Sequence, residues 1–241
     1  MRIYNFLLLA FCFSPFLASG QVAISNFPSK VHLAEPVKTY QVATQFSQNL
    51  YNGRVYFLYD HKSEEHQFYN EREWYYGSVR YDGQRFDSVQ LKYDIHRQEL
   101  LIHHLNGDHM ILQSAKVSDF IIYNHHFKRL ISGKDIADGM KTGYYDIVYN
   151  GKTQAIIFRR KDRQEKIDDK RVIALFPQKD MYYVYRSGAY KQVRTKKSVL
   201  ALFPGHERTL KKSLRAKQIN FRKNREEAIL TMVQKYDQTV L

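Results

Sequence analysis

Cysteine is nearly absent from this sequence: one residue in 241, Cys12, close to the start of the chain. A chain that sheds it has no disulfide, no thiolate nucleophile and no cysteine ligand for a metal. Such a protein must rest on its core alone. Motifs that name a reaction are missing too. There is no Gly-x-Ser-x-Gly elbow, no phosphate-binding glycine loop and no dinucleotide fingerprint. After residue 20 no apolar stretch reaches the roughly 20 residues that a membrane-spanning helix needs, so the mature chain is expected to have no transmembrane segment. Negative charge is scarce: 24 Asp and Glu face 38 Lys and Arg, for a formal net charge of +14.

Residues 1–20, MRIYNFLLLAFCFSPFLASG, read as a signal peptide. Arg2 supplies the basic start, Phe6 to Phe11 the apolar run, and Ala18-Ser19-Gly20 the small residues before cleavage at Gln21. A membrane anchor is the competing reading, and Ser14-Pro15 interrupts the run it needs. Lipid attachment at Cys12 is opposed by the bulky Phe11 before it. The expected location is a bacterial periplasm or the outer membrane. Removing 20 residues from 241 leaves 221, enough for one sizeable domain or two small ones.

The positive charge is uneven. Lys191 to Leu241 holds 13 Lys and Arg against 4 Asp and Glu, a net +9. Inside a cell that would point to nucleic acid. For an exported chain no nucleic acid is expected. The acidic partners there are lipid headgroups, lipopolysaccharide, acidic glycans or an acidic protein face. A generally basic, solvated surface with no dedicated partner is the plain alternative.

The 19 Tyr and 15 Phe recur in alternating runs. In SVRYDGQRFDSVQLKYDI, Val79 and Tyr81 precede a turn and Phe86, Val89, Leu91 and Tyr93 follow it, the alternation of a half-buried strand. Asn52-Gly53, Asp82-Gly83, Asn106-Gly107, Asn150-Gly151 and, more weakly, Ser187-Gly188 are two-residue hairpin signals. Eleven strands are predicted between Val55 and Val193. They define a mainly β domain at 21–195, an antiparallel β-meander forming a curled sheet or partial barrel. The mixed charges of 159–171 read as a solvated loop. Residues 196–241 change period and predict a basic helical hairpin. Pro204 suits the first turn of one helix. Asn224 with Glu227 forms a capping-box pattern, and Ile229, Met232, Val233 and Tyr236 share a face. In the first helix Arg208, Lys211, Lys212 and Arg215 fall at i, i+3, i+4 and i+7, a basic stripe opposite Leu210 and Leu214.

Few residues suggest chemistry. In HHLNGDHM (103–110) a two-residue turn at Asn106-Gly107 places His104 opposite His109. Two cross-strand imidazoles on one face can grip a metal ion, or can be two exposed histidines of a surface hairpin. HKSEEH (61–66) has its histidines at i and i+5, the wrong spacing for a helical zinc site. The cluster Trp74, Tyr75, Tyr76 and the later Tyr182, Tyr183 and Tyr185 offer either core or a sugar or lipid platform. No cofactor is expected.

The blocks YYGSVRYDGQRFDSVQLKYDIHRQELLI, GYYDIVYNGK and LRAKQINFRKNREEAILTMVQKYD together resemble a type of exported bacterial β-rich protein with a helical C-terminus. That resemblance implies an architecture and no activity. A rolled envelope sheet also looks like the lipoprotein-carrier half-barrels. Three functions follow as expectations. The first is a non-enzymatic envelope scaffold that docks an acidic partner or membrane surface through Arg208, Lys211, Lys212 and Arg215. The second is a carrier of a lipid or hydrophobic ligand. The third is a hydrolase or metal-dependent enzyme.

Overall fold

The computed structural model describes residues 49–60, 63–168 and 171–240. The signal peptide expected at 1–20, the start of the β-domain expected from residue 21 and His61 of the HKSEEH stretch lie outside them. Among the described residues the strands are β1 (Arg54–Val55), β2 (Tyr75–Tyr81), β3 (Gln84–Asp94), β4 (Glu99–His103), β5 (His109–Ile111), β6 (Val117–Ile122), β7 (His125–Leu130), β8 (Gly143–Asn150), β9 (Gln154–Phe158), β10 (Gln164–Asp168), β11 (Arg171–Leu175), β12 (Met181–Arg186) and β13 (Ala189–Val193). Eleven form one antiparallel sheet in the order β1-β5-β4-β3-β2-β6-β7-β8-β9-β12-β13, which does not close. β10 and β11 make a separate ribbon between β9 and β12. Three helices follow: α1 (Lys196–Leu200), α2 (Glu207–Ala216) and α3 (Arg225–Thr239). The fold is mainly β, with a short helical segment at its C-terminal end.

Turn chemistry sets much of the meander. Asp82-Gly83 and Ser187-Gly188 have positive φ at both positions, 51° and 79°, then 53° and 84°, as a hairpin turn of matching twist demands. A third such turn, Tyr123-Asn124 at 51° and 61°, joins β6 to β7. Two of the expected Asn-Gly turns serve another purpose. Neither Gly53 nor Gly151 has positive φ. A Cβ on Gly53 would sit 2.5 Å from the Ile111 carbonyl oxygen, and one on Gly151 would sit 2.5 Å from Asp237 Oδ2. Those glycines permit close approach.

The alternation along β3 slips once. Val79 faces Phe86 but Gly77 faces Val89, and Ser88 takes up the extra residue at φ 56°. This is a β-bulge, and it keeps Phe86, Val89 and Leu91 against one core. The solvated loop expected at 159–171 is also corrected. Gln164–Asp168 pairs with Arg171–Leu175, and Arg159 is buried.

One face of the sheet carries the aromatic core. Tyr93 is fully buried and meets Phe120, Phe127 and Tyr144 edge-on. Phe120 and Phe127, paired across β6 and β7, stack at 4.9 Å. The other face of β3–β5 is covered as well, by Tyr56, Phe68 and Trp74 over Leu101 and Ile111. Hence Leu91, Lys92, Tyr93 and Asp94 are all buried in sequence. Asp94 survives there because Tyr56 and Tyr59 donate to it at 2.7 and 2.9 Å and the amides of His96 and Arg97 at 2.9 and 2.8 Å. A buried charge needs such partners. On this side His66 is driven down to about 4, first by burial and then by the nearby cations Lys161, Arg72 and Lys92.

The helices share a core with β9, β12 and β13. Val199, Phe203, Leu210, Leu214, Ile229, Met232 and Val233 pack with Ala155, Val184 and Val193. The expected capping box at Asn224 does not form, since Asn224 donates its amide to Glu227 and caps no backbone N–H. A capping box occurs instead at Thr195 and Ser198. Pro204 lies in the turn before α2, which begins at Glu207. Asp237 of α3 clasps the β8–β9 turn. It accepts from Thr153 Oγ1 at 2.6 Å, the Thr153 amide at 3.0 Å and Tyr149 Oη at 3.0 Å.

Asp237→Ala strands three donors, at least one of them buried, and is expected to cost about 2–4 kcal/mol in urea unfolding. A loss below about 0.5 kcal/mol would show that the clasp carries little. His66 has a folded-state value below its ordinary 6.5, so the fold favours the neutral ring. That contribution is complete above pH 6.5 and fades as the pH falls toward 4. His66→Gln should therefore flatten the decline in urea midpoint across that window, and an unchanged decline would refute the assignment.

Candidate anion-binding groove

The first residue after β9, Arg159, joins sheet to helix. Its Nη2 donates to Asp146 of β8 at 2.6 Å, and its Nη1 to Asp180 at 2.9 Å. Both terminal nitrogens grip Glu226 in the first turn of α3, at 2.6 and 2.9 Å. Burial works against the charge, but Glu226, Asp146 and Asp180 outweigh it and push the guanidinium pKa up. Asp146 also accepts from His125 Nδ1 at 2.8 Å. A carboxylate behind an imidazole is one element of acid–base catalysis. Here the same oxygen is committed to Arg159, and His125 rests against the rings of Tyr69 and Phe127. Among the described residues no hydroxyl bonds the other ring nitrogen.

Beside this junction the surface is hollow. A cavity of about 770 Å³ opens between the start of β12, the end of β13 and α3, lined among others by Arg160, Lys179, Asp180, Tyr182, Arg194 and Arg225. Arg194 and Arg225 also line a second, of about 920 Å³, with Lys196, Lys197, Phe221 and Arg222. A third, of about 290 Å³, shares Lys196 and the wall Ile219–Phe221 and reaches Lys211 and Arg215. The three adjoin one another through these shared lining residues and together form the groove. Among the described residues its sole acidic lining residue is Asp180, which is held by Arg159 and Gln178.

Cations elsewhere are mixed: Arg54, Arg80, Arg85, Lys116 and Arg163 each have a carboxylate partner, while Lys128 of β7 and Lys191 of β13 have none among the described residues. Among the described residues, Arg194, Lys196, Lys197, Arg222 and Arg225 have none within ion-pair distance. All five are exposed. Unpaired like charges in a concavity repel one another and focus a positive potential outward.

The residues singled out from sequence are distributed unevenly. Arg208, Lys211, Lys212 and Arg215 are all exposed, with Leu210 and Leu214 buried beneath them. Of the four, Lys211 and Arg215 line the groove's far end, and Arg208 and Lys212 line none of the three cavities. The cations at its centre were hidden from a periodicity argument because they sit on loops and helix ends. The net +9 of the last 51 residues was the available signal.

The histidine pairing is corrected by one residue. Asn106-Gly107 belongs to a three-residue loop, with the His104 amide bonded to the Asp108 carbonyl and Gly107 at φ 93°. The odd loop shifts the register, so His103, not His104, faces His109. His104 turns to Asn106 and packs on Tyr51. His103 bonds Gln90 at 2.7 Å, and Trp74 lies against both His103 and His109 at 5.0 and 4.8 Å. Lys92 sits over the same Trp74 ring at 4.5 Å, and burial with Lys92 lowers the His109 pKa. Among the described residues no group of three or more metal-ligating side chains converges.

No protein-family model matches the chain, and no curated protein or solved structure matches it significantly. Fold and groove define the class: an open antiparallel sheet protein whose C-terminal helices build a basic groove at one end of the sheet. Among the described residues no helix is long and apolar enough to cross a membrane.

Arg159→Met would leave Asp146 buried without its cation and is expected to cost about 3–5 kcal/mol. Glu226→Gln keeps one acceptor on a partly exposed side chain and should cost about 1 kcal/mol. Urea unfolding of both variants tests the order, which a larger loss for Glu226→Gln would reverse.

Proposed function

We propose that this protein is a non-enzymatic docking protein of the bacterial envelope. The β-sheet is its scaffold, and the groove between β12, β13 and the helices receives an anionic partner. One observation carries this reading: five exposed cations that line adjoining cavities at one end of the sheet have no carboxylate partner among the described residues. Unpaired charge of one sign costs a fold stability and is offset when an anion binds. The stripe Arg208, Lys211, Lys212 and Arg215 extends the same positive field past the groove's end. The carrier alternative has weaker support, because Tyr93, Phe120, Phe127 and Tyr144 occupy the sheet's interior with centroids 4.9–5.7 Å apart.

Deleting residues 196–241 is a poor test. It would uncover Ala155, Val184 and Val193 and remove at least seven buried apolar side chains, each worth about 1.5–3 kcal/mol, against a total stability of about 5–15 kcal/mol. Charge reversal leaves the core alone. The full chain should bind a sensor coated with dextran sulfate at about 50 mM salt and weaken steeply by about 200 mM. Arg194→Glu with Arg225→Glu should reduce that affinity roughly 100-fold, near 3 kcal/mol. Reversal of Arg54 and Arg85, both exposed on the sheet, should change it less than about threefold. Equal losses from both pairs, or none from the first, would defeat the proposal.

A further inference from the structure

We propose that the groove's ligand is an extended acidic polysaccharide, a chain of sugar rings bearing carboxylate or sulfate groups. This rests on the anion-docking reading above and adds the ligand's class.

Shape comes first. The three cavities adjoin through Arg194 and Arg225, then through Lys196 and Ile219–Phe221. Cations therefore follow one another along a path from Lys179 to Arg215. A lone phosphate needs two or three donors converging on a point, and this spread suits a chain with repeated charges. A bilayer surface is planar and meets a concavity poorly.

The lining supplies the rest. Between the cations lie two rings, Tyr182 and Phe221, both half-buried and both presented in the groove wall. Four side-chain amides line it as well, Gln178, Gln192, Gln218 and Asn220, and Gln178 donates its NH₂ to Asp180. Gln192 uses its oxygen to accept from Arg194, and Asn220 uses its oxygen to accept from the amides of Arg222 and Lys223. That leaves the NH₂ groups of Gln192 and Asn220 without a partner among the described residues. Rings for the apolar face of a sugar, amides for hydroxyls and guanidinium forks for carboxylate or sulfate together match a charged carbohydrate. A bare polyanion such as polyphosphate would use only the cations. Nucleic acid would also use cations and rings, but the signal peptide expected at 1–20 directs the chain to a compartment where the extended polyanions are acidic glycans.

The test is a binding panel on the full chain at one salt concentration: polygalacturonate, heparin, polyphosphate, a single-stranded oligonucleotide and vesicles containing phosphatidylglycerol. The expected result is that one of the two glycans binds at least about tenfold tighter than polyphosphate of matched charge. Tyr182→Ala and Gln192→Ala should each weaken that glycan several-fold and leave polyphosphate unchanged. Gln192 lies exposed on the sheet's edge strand, so its variant tests the ligand class without disturbing the core. Equal binding of all soluble polyanions, with both variants silent, would overturn the glycan assignment and leave anion docking intact. Tightest binding of the oligonucleotide, or capture by vesicles alone, would overturn it in favour of those partners. No binding to any probe, or no effect of Arg194→Glu with Arg225→Glu, would overturn both proposals.

Discussion

The guanidinium of Arg159 holds three carboxylates from three parts of the chain, and both the docking of the helices and the charge of the groove depend on it. Asp146 belongs to the sheet, Asp180 to the approach to β12, and Glu226 to the first turn of α3. Each pair would be costly in isolation, because a buried ion gives up its water. Shared around one planar fork, the contacts satisfy most of the hydrogen-bonding capacity that burial removes. The same interaction has an electrostatic result. Asp180 lines the groove and Glu226 follows the groove residue Arg225 in α3, and Arg159 engages both. Of the cations in the groove wall, Arg160 and Lys179 share Asp162, and the rest have no counter-ion among the described residues.

The sheet makes this possible by being buried on both faces at one end and covered by helices at the other. Around β3, rings fill one face while Tyr56, Phe68 and Trp74 close the other. At β9, β12 and β13 the helices supply the cover. The edge strand β13 ends at Val193, and the residues after it, Arg194, Thr195 and Lys196, run directly into the groove. Asp237 on α3 then holds the β8–β9 turn, so α3 is fixed near both ends, by Glu226 and by Asp237. A groove built on elements fixed this way keeps its backbone in place, which would lower the ordering cost of the proposed anion binding.

Much of the architecture was legible from local signals. Asp82-Gly83 and Ser187-Gly188 made the turns their chemistry demands, and Leu210 and Leu214 lie buried under an exposed basic stripe. Other signals were ambiguous for physical reasons. An Asn-Gly pair reports a need for glycine, yet at Gly151 the need is room for Asp237, 86 residues later in the chain. Strand β7 was missed because its His125, His126, Lys128 and Arg129 mask a single buried ring, Phe127. Arg159 read as one more charge in a solvated run, since nothing beside it in sequence reveals the carboxylates that bury it. The His103–His109 pairing turned on one residue of loop length, which reassigns every opposing pair beyond it.

The sequence by itself determined the class of fold, the change from strand to helix near residue 196 and the concentration of positive charge at the C-terminal end. These are short-range properties: side-chain period, turn residues and composition act within a few positions of themselves. Only the tertiary structure decided which cations face one another and which are neutralised. Charges interact across space, and their partners here lie on different elements, with Glu226 67 residues from Arg159. The groove is therefore a property of how the helices dock on the sheet. Its central residues, Arg194 and Arg225, are 31 positions apart in the chain and meet only there.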